Sequence, residues 1–134
     1  MTDPSQERRA DAQRMAELAV SARAGESRAA QRIVDRFVEQ ATARGIAPVP
    51  LEATQLDGRR VRTDRIGWYV NKKQTLAIGT GGEWFVLQVP TSWMSRFTGV
   101  KLQPSPPELV VARGGRDGES GDLQEFLDRV LAGR

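Results

Sequence analysis

Three observations predict an α+β fold for this chain: helical apolar spacing at both ends, period-two alternation through the middle, and turn signals that cut the middle into short strands. The expected architecture is a mostly antiparallel sheet of four to six strands with a central meander. Two N-terminal helices and one C-terminal helix pack on one face of it. At 134 residues the chain is expected to form a single domain, 1–134, large enough to bury a core without metal or disulfide support.

Residues 5–24 carry helix formers with Met15, Leu18, Ala19 and Ala22 on one face. That stripe is narrow and Ala-rich, so residues 1–12 are expected to fray. Gly25-Glu26-Ser27 reads as a break, with Ser27 capping a second helix whose wider stripe is Ala30, Ile33, Val34, Phe37, Val38 and Ala41. Gly45 stands where a helix-ending glycine belongs, and Pro48 and Pro50 prevent continuation. Arg28, Arg32 and Arg36 form an exposed ridge, read as a solvated face that Asp35 and Glu39 neutralise.

Leu51 to Leu56 and Arg59 to Thr63 are expected to pair as a hairpin through a type I′ turn at Asp57-Gly58. The densest alternation follows in IGWYVNKKQTLAIGTGGEWFVLQVP, residues 66–90, which reads as three strands separated by turns at 71–73 and 80–83. Alternation places Trp68, Val70, Leu76 and Ile78 on one face, suited to receive the helices. The other face collects Tyr69, Thr75, Ala77, Trp84 and Val86. The stretch 84–89 is apolar on both sides, the signature of a strand that is central or covered twice.

Thr91-Ser92 can cap a short helical turn carrying Trp93, Met94 and Phe97. Pro104-Ser105-Pro106-Pro107 reads as an extended spacer, and Leu109–Ala112 as a buried strand inserted beside an earlier one. The loop RGGRDGESGD, residues 113–122, is expected to be flexible over 114–121 and to feed the strongest helix signal in the chain. In that helix Leu123, Phe126, Leu127, Val130 and Leu131 share a face, and Asp122 with Glu125 resembles a capping box.

Function is constrained mainly by what is missing. The chain has no histidine and no cysteine, which removes the commonest general base, thiolate nucleophiles and cysteine-bound zinc. No pair of carboxylates has a spacing that enforces proximity, so no catalytic residue, cofactor or metal site is assigned and the protein is expected not to be an enzyme. The charged opening MTDPSQERR and the short apolar runs point to a soluble cytoplasmic protein. Basic residues are 17 Arg against 3 Lys, a ratio that points to a GC-rich bacterial genome, and the net charge is +3.

The expected function is a non-enzymatic binding or regulatory module acting through protein contacts, with a protein partner or a second copy of itself. Its candidate interface is Tyr69, Trp84, Val86, Trp93 and Phe97, an aromatic patch rimmed by basic side chains. One alternative is nucleic-acid binding through the basic stretch Arg59, Arg60, Arg62 and Arg65, joined by Lys72 and Lys73, because a basic ribbon can track phosphates. A second alternative is a small anion or other ligand at the 113–122 loop, since glycine-rich loops before helices offer N–H groups to anions. The loop departs from the known phosphate-loop patterns, and Asp117, Glu119 and Asp122 would repel phosphate.

Overall fold

A computed structural model describes residues 3–90, 99–111 and 121–133. The element order is α1 (Pro4–Ala43), β1 (Val49–Gln55), β2 (Arg60–Tyr69), β3 (Leu76–Gly79), β4 (Trp84–Val86), β5 (Gln88–Val89), β6 (Val110–Val111), β7 (Gly121–Asp122) and α2 (Leu123–Leu131). The expected short helix at 91–98 lies outside the described residues, as do Trp93, Phe97 and positions 112–120 of the glycine-rich segment. No helix among the described residues is long and apolar enough to cross a membrane.

The two expected N-terminal helices are one 40-residue helix. Gly25-Glu26-Ser27 stays helical because an interior glycine costs only about 1 kcal/mol relative to alanine, and no proline interrupts the ladder. Asp3 caps the start, accepting a bond from the Ser5 N–H, with Pro4 as the first helical residue. The end matches its sequence signal: Gly45 has φ 73°, its N–H bonds the Thr42 carbonyl, and the Ile46 N–H bonds the Ala41 carbonyl.

The sheet order is β4-β3-β2-β1-β5, antiparallel except for β5 beside β1. β4 and β5 stand at opposite edges of this order, yet only Leu87 separates them in the chain. Both edges must therefore come together, and the sheet curls into a barrel-like wall. Leu87 forms the seam: its N–H bonds the Thr75 carbonyl at 2.8 Å, and its carbonyl accepts from the Thr54 N–H at 2.7 Å.

Several local features help the sheet to curl. Gly67 faces Gly79 across β2 and β3, and a Cβ on Gly67 would be driven into the Ile78 carbonyl oxygen. A bulge at Pro50–Glu52 bends β1, at a residue that has no N–H to lose from the ladder. The β1–β2 turn is not type I′. Only Gly58 has positive φ (87°), and its N–H bonds the Gln55 carbonyl, the geometry of a type I turn closed by a left-handed glycine. In the β2–β3 loop the buried Asn71 side chain accepts from the Thr75 and Leu76 N–H groups and donates to the Thr75 hydroxyl.

Curling gives the sheet two cores. Leu51, Ala53, Ala77, Phe85, Leu87 and Leu102 fill the inside of the curl. Outside it, Trp68, Val70, Ile78 and Trp84 meet Ala30, Val34, Phe37 and Ala41 of α1 and Leu123, Phe126 and Leu127 of α2. Phe37 packs edge-on against Trp68, whose indole N–H bonds the Ile46 carbonyl at 2.9 Å.

Three C-terminal expectations are corrected. Val110 and Val111 do not join the main sheet but pair with Asp122 and Gly121 in a separate ribbon, because the main sheet's edges are already joined through Leu87. The proline-rich segment is more than a spacer, since the Ser105 N–H bonds the Trp84 carbonyl and covers the β4 edge. Asp122 precedes α2 without a side-chain cap bond, so the capping box is absent; its backbone is held by the ribbon instead.

The Gly67–Gly79 crossing yields a direct test. Gly67→Ala places a methyl against backbone that no rotamer change can move, so the loss of stability is expected to reach about 3 kcal/mol or more. Gly58→Ala strains only an exposed turn with open space around its Cβ. Urea unfolding of both variants checks the ranking, with Gly67→Ala expected to be the more damaged.

Candidate interaction surfaces

The aromatic patch expected on one sheet face is divided by the strand register. Trp68 pairs with Ile78 and Ile78 with Trp84, so Trp84 and Val86 share the face that receives the helices. Tyr69 pairs with Ala77 and Ala77 with Phe85, on the inner face. Trp84 is only 4% exposed and belongs to the helix-covered core, while Val86 at the strand end is 43% exposed. Alternation holds within each strand, but β4 aligns with β3 one residue out of the expected phase, which exchanges its faces.

Tyr69 has a structural task inside the curl. The bulge in β1 disturbs the regular ladder around Leu51 and Glu52, and two β2 side chains supply bonds there. The Glu52 N–H donates to the Tyr69 hydroxyl at 2.9 Å, and the Thr63 hydroxyl donates to the Leu51 carbonyl at 2.8 Å.

The six basic candidates do not form one ribbon. Arg60 pairs with Glu52 at 3.2 Å and donates to the Gln74 side chain at 2.8 Å, which ties the hairpin end to the loop carrying Lys72 and Lys73. Arg59 lies 3.9 Å from Asp57. Closure of the sheet thus gathers Arg59, Arg60, Lys72 and Lys73 toward one end, with Glu52 and Asp57 offsetting part of their charge. Arg65 faces a different environment: it contacts Asp64 and Glu83, stacks over the Phe85 ring, and bonds the Leu102 carbonyl. Arg62 uses its backbone carbonyl to accept from the Val100 N–H.

Among the described residues Leu56 is the most exposed large apolar side chain, and three more, Met15, Leu18 and Val20, lie on α1. The buried residues of α1 begin at Ala30, and every residue from Asp3 to Ala24 except the half-buried Ser5 is exposed. Met15 and Leu18, neighbours on the helix, are 67% and 65% exposed. Residues 4–29 therefore form an arm about 40 Å long, exposed as far as Ala24 and half-buried at 25–27 and 29, where Glu26 accepts from the Leu109 N–H. The Ser5 hydroxyl and then the Ser5 N–H bond the Asp3 carboxylate, which lowers its pKa below the ordinary value. That cap contributes fully above the unfolded carboxylate pKa and is lost as pH falls through the lowered folded value. Arg28, Arg32 and Arg36 are exposed and form no ion pair among the described residues; Asp35 accepts from Gln31, which also donates to the Gly82 carbonyl and anchors α1 to the β3–β4 turn.

Among the described residues no group of three or more Asp, Glu, His or Cys side chains could hold a metal ion. Only Gly121 and Asp122 of the 113–122 candidate are described, and both belong to the β6–β7 ribbon. Comparison of the chain with known protein families, with curated proteins and with solved structures finds no match. The class defined by the fold and its surfaces is a small α+β protein with a curled sheet and a projecting helical arm.

The two aromatic candidates should respond differently to substitution. Tyr69→Phe leaves the Glu52 N–H without its acceptor and is expected to cost about 1–3 kcal/mol. Trp84→Ala empties a site between sheet and helices and should cost roughly 3–5 kcal/mol. Denaturant unfolding measures both. A Trp84→Ala protein with unchanged stability would show that this indole is not part of the core.

Proposed function

We propose that the protein is a non-enzymatic contact module of the cytoplasm, in which the curled sheet and α2 hold the base of α1 and the arm engages another polypeptide. The observation that carries this reading is the exposed Met15–Leu18 surface on a helix whose buried residues begin only at Ala30. Isolated helices gain little from propensity alone and are stabilised chiefly by covering an apolar face. A covered arm would gain that stabilisation, whereas an uncovered one keeps Met15, Leu18 and Val20 in water. The absence of histidine and cysteine agrees with a role in contact rather than catalysis.

Affinity capture from the native cytoplasm tests this, with the wild-type chain set against a Met15→Lys, Leu18→Lys variant. Both substitutions sit on exposed positions, so the melting temperature should hold within a few degrees while polypeptides retained by the wild type are lost. Capture of the same polypeptides by both chains would remove the arm from the contact.

A second reading, nucleic-acid contact, is supported by the Arg60–Gln74 bond, which brings the Arg59–Arg60 end beside the Lys72–Lys73 loop. Arg59→Ala with Lys72→Ala should then weaken binding to duplex or single-stranded oligonucleotides and lessen its salt dependence. Fluorescence anisotropy at low salt measures this, and no binding by the wild-type chain ends that reading.

A further inference from the structure

The sequence of the arm, laid on its helical geometry, also identifies a partner. Resting on the arm as the contact element, we infer that residues 4–29 of two copies of this chain pair antiparallel, forming a two-fold symmetric dimer.

Arg8, Asp11, Met15, Leu18, Ala22 and Gly25 follow one another at spacings of three and four, the seam of a two-stranded helical pairing. This seam lies about a quarter turn around α1 from Ala30, Val34, Phe37 and Ala41, which face the sheet. A second helix on the seam therefore lies beside the globular part and does not compete with the core.

Direction is decided by charge. A parallel in-register pair would set Arg8 against Arg8 and Asp11 against Asp11 within the seam. An antiparallel pair with Met15 opposite Leu18 of the second copy sets Arg8 opposite Gly25 and Asp11 opposite Ala22. Those small residues leave room for the longer polar side chains to bend toward water. Along the flanks of the same register Glu7 meets Arg28, Arg14 meets Ser21, and Ala12 meets Ala19. No like charges face each other, and two-fold symmetry makes every pairing twice. The register aligns residue 4 with residue 29, so the pairing covers the exposed stretch 4–24 and ends at the half-buried turn where Glu26 bonds the Leu109 N–H. Self-complementarity of this kind requires no different partner, and it commits the occupant to a second copy.

Sedimentation velocity on the full chain at low salt should show a dimer that the Met15→Lys, Leu18→Lys variant abolishes. Glu7→Arg alone and Arg28→Glu alone should each weaken association roughly tenfold, and the two combined should restore it to within about threefold. The absence of native cysteine permits a test of direction. Asp11→Cys chains mixed with Ala22→Cys chains should oxidise to the mixed disulfide, while neither variant alone crosslinks to itself. Self-crosslinking of each variant alone would establish parallel pairing and overturn the proposal, as would a dimer that survives the Met15 and Leu18 substitutions. A wild-type monomer at roughly 100 μM would also overturn it. If that monomer still captured other polypeptides through Met15 and Leu18, self-pairing would fail while the arm's contact role stood.

Discussion

Closure of the sheet through Leu87 is the constraint on which the rest of this structure depends. One short stretch, 84–89, serves as both edges, so the β3 and β1 ladders are joined by a single residue that bonds to both sides. A curled sheet has an inside too narrow for a helix, and side chains from its own strands fill it. Its outside remains apolar along Trp68, Val70, Ile78 and Trp84 and needs separate cover. The two helices supply that cover. The edge problem that an open five-stranded sheet would present is reduced in the same step, with Ser105 bonding the β4 side of the seam.

This arrangement explains why polar groups recur where the strands bend. A bulged strand cannot keep a regular ladder, and buried backbone groups left without partners are costly. Tyr69 and Thr63 supply side-chain bonds at the β1 bulge, while Asn71 organises the β2–β3 loop. Arg65, placed over Phe85 and between Asp64 and Glu83, joins β2 to the β3–β4 turn. These residues look like a binding site when only their chemistry is read. In the fold each also bonds backbone or side chains where the strands bend or turn.

The sequence made the fold class and the helix-facing set of β2 and β3 legible, because Trp68, Val70 and Ile78 follow a period that has one interpretation once a strand is assumed. The Gly45 helix end was legible for a similar reason, since a left-handed position favours glycine. Closure was not legible. Two apolar faces on 84–89 signalled double cover but gave no sign that the same residues form both edges, and periodicity within one strand does not fix its phase against another, which misplaced Trp84 beside Tyr69. Gly25 points in the opposite direction: a glycine weakens a helix without ending it, and the buried turns from Ala30 onward hold the helix from which the arm extends. Of the candidate surfaces, the Met15–Leu18 stripe is legible as a weak helical face, but its exposure follows only from the packing of the described core, whose α1 members begin at Ala30.

The continuity of α1 then connects the two halves of the molecule. Ala30, Val34, Phe37 and Ala41 fix the helix on the sheet, Gln31 bonds the β3–β4 turn, and Glu26 accepts from the Leu109 N–H near the last covered turn. Because the helix passes from the core into solvent without a break, the direction of the arm is set by the curl of the sheet rather than by a linker. The arm's first turns depend on helix propensity, the Asp3 cap and local side-chain bonds such as the Asp11–Arg14 pair, whereas the base is held by tertiary packing. Local opening should therefore be easiest at the Pro4 end and fall off toward Ala30. Gly25 sits at the transition, where a Cβ would meet nothing within 4 Å and alanine would add helix propensity. A contact that covered the arm would remove this gradient by stabilising the exposed turns, leaving the two cores and the closure at Leu87 unchanged.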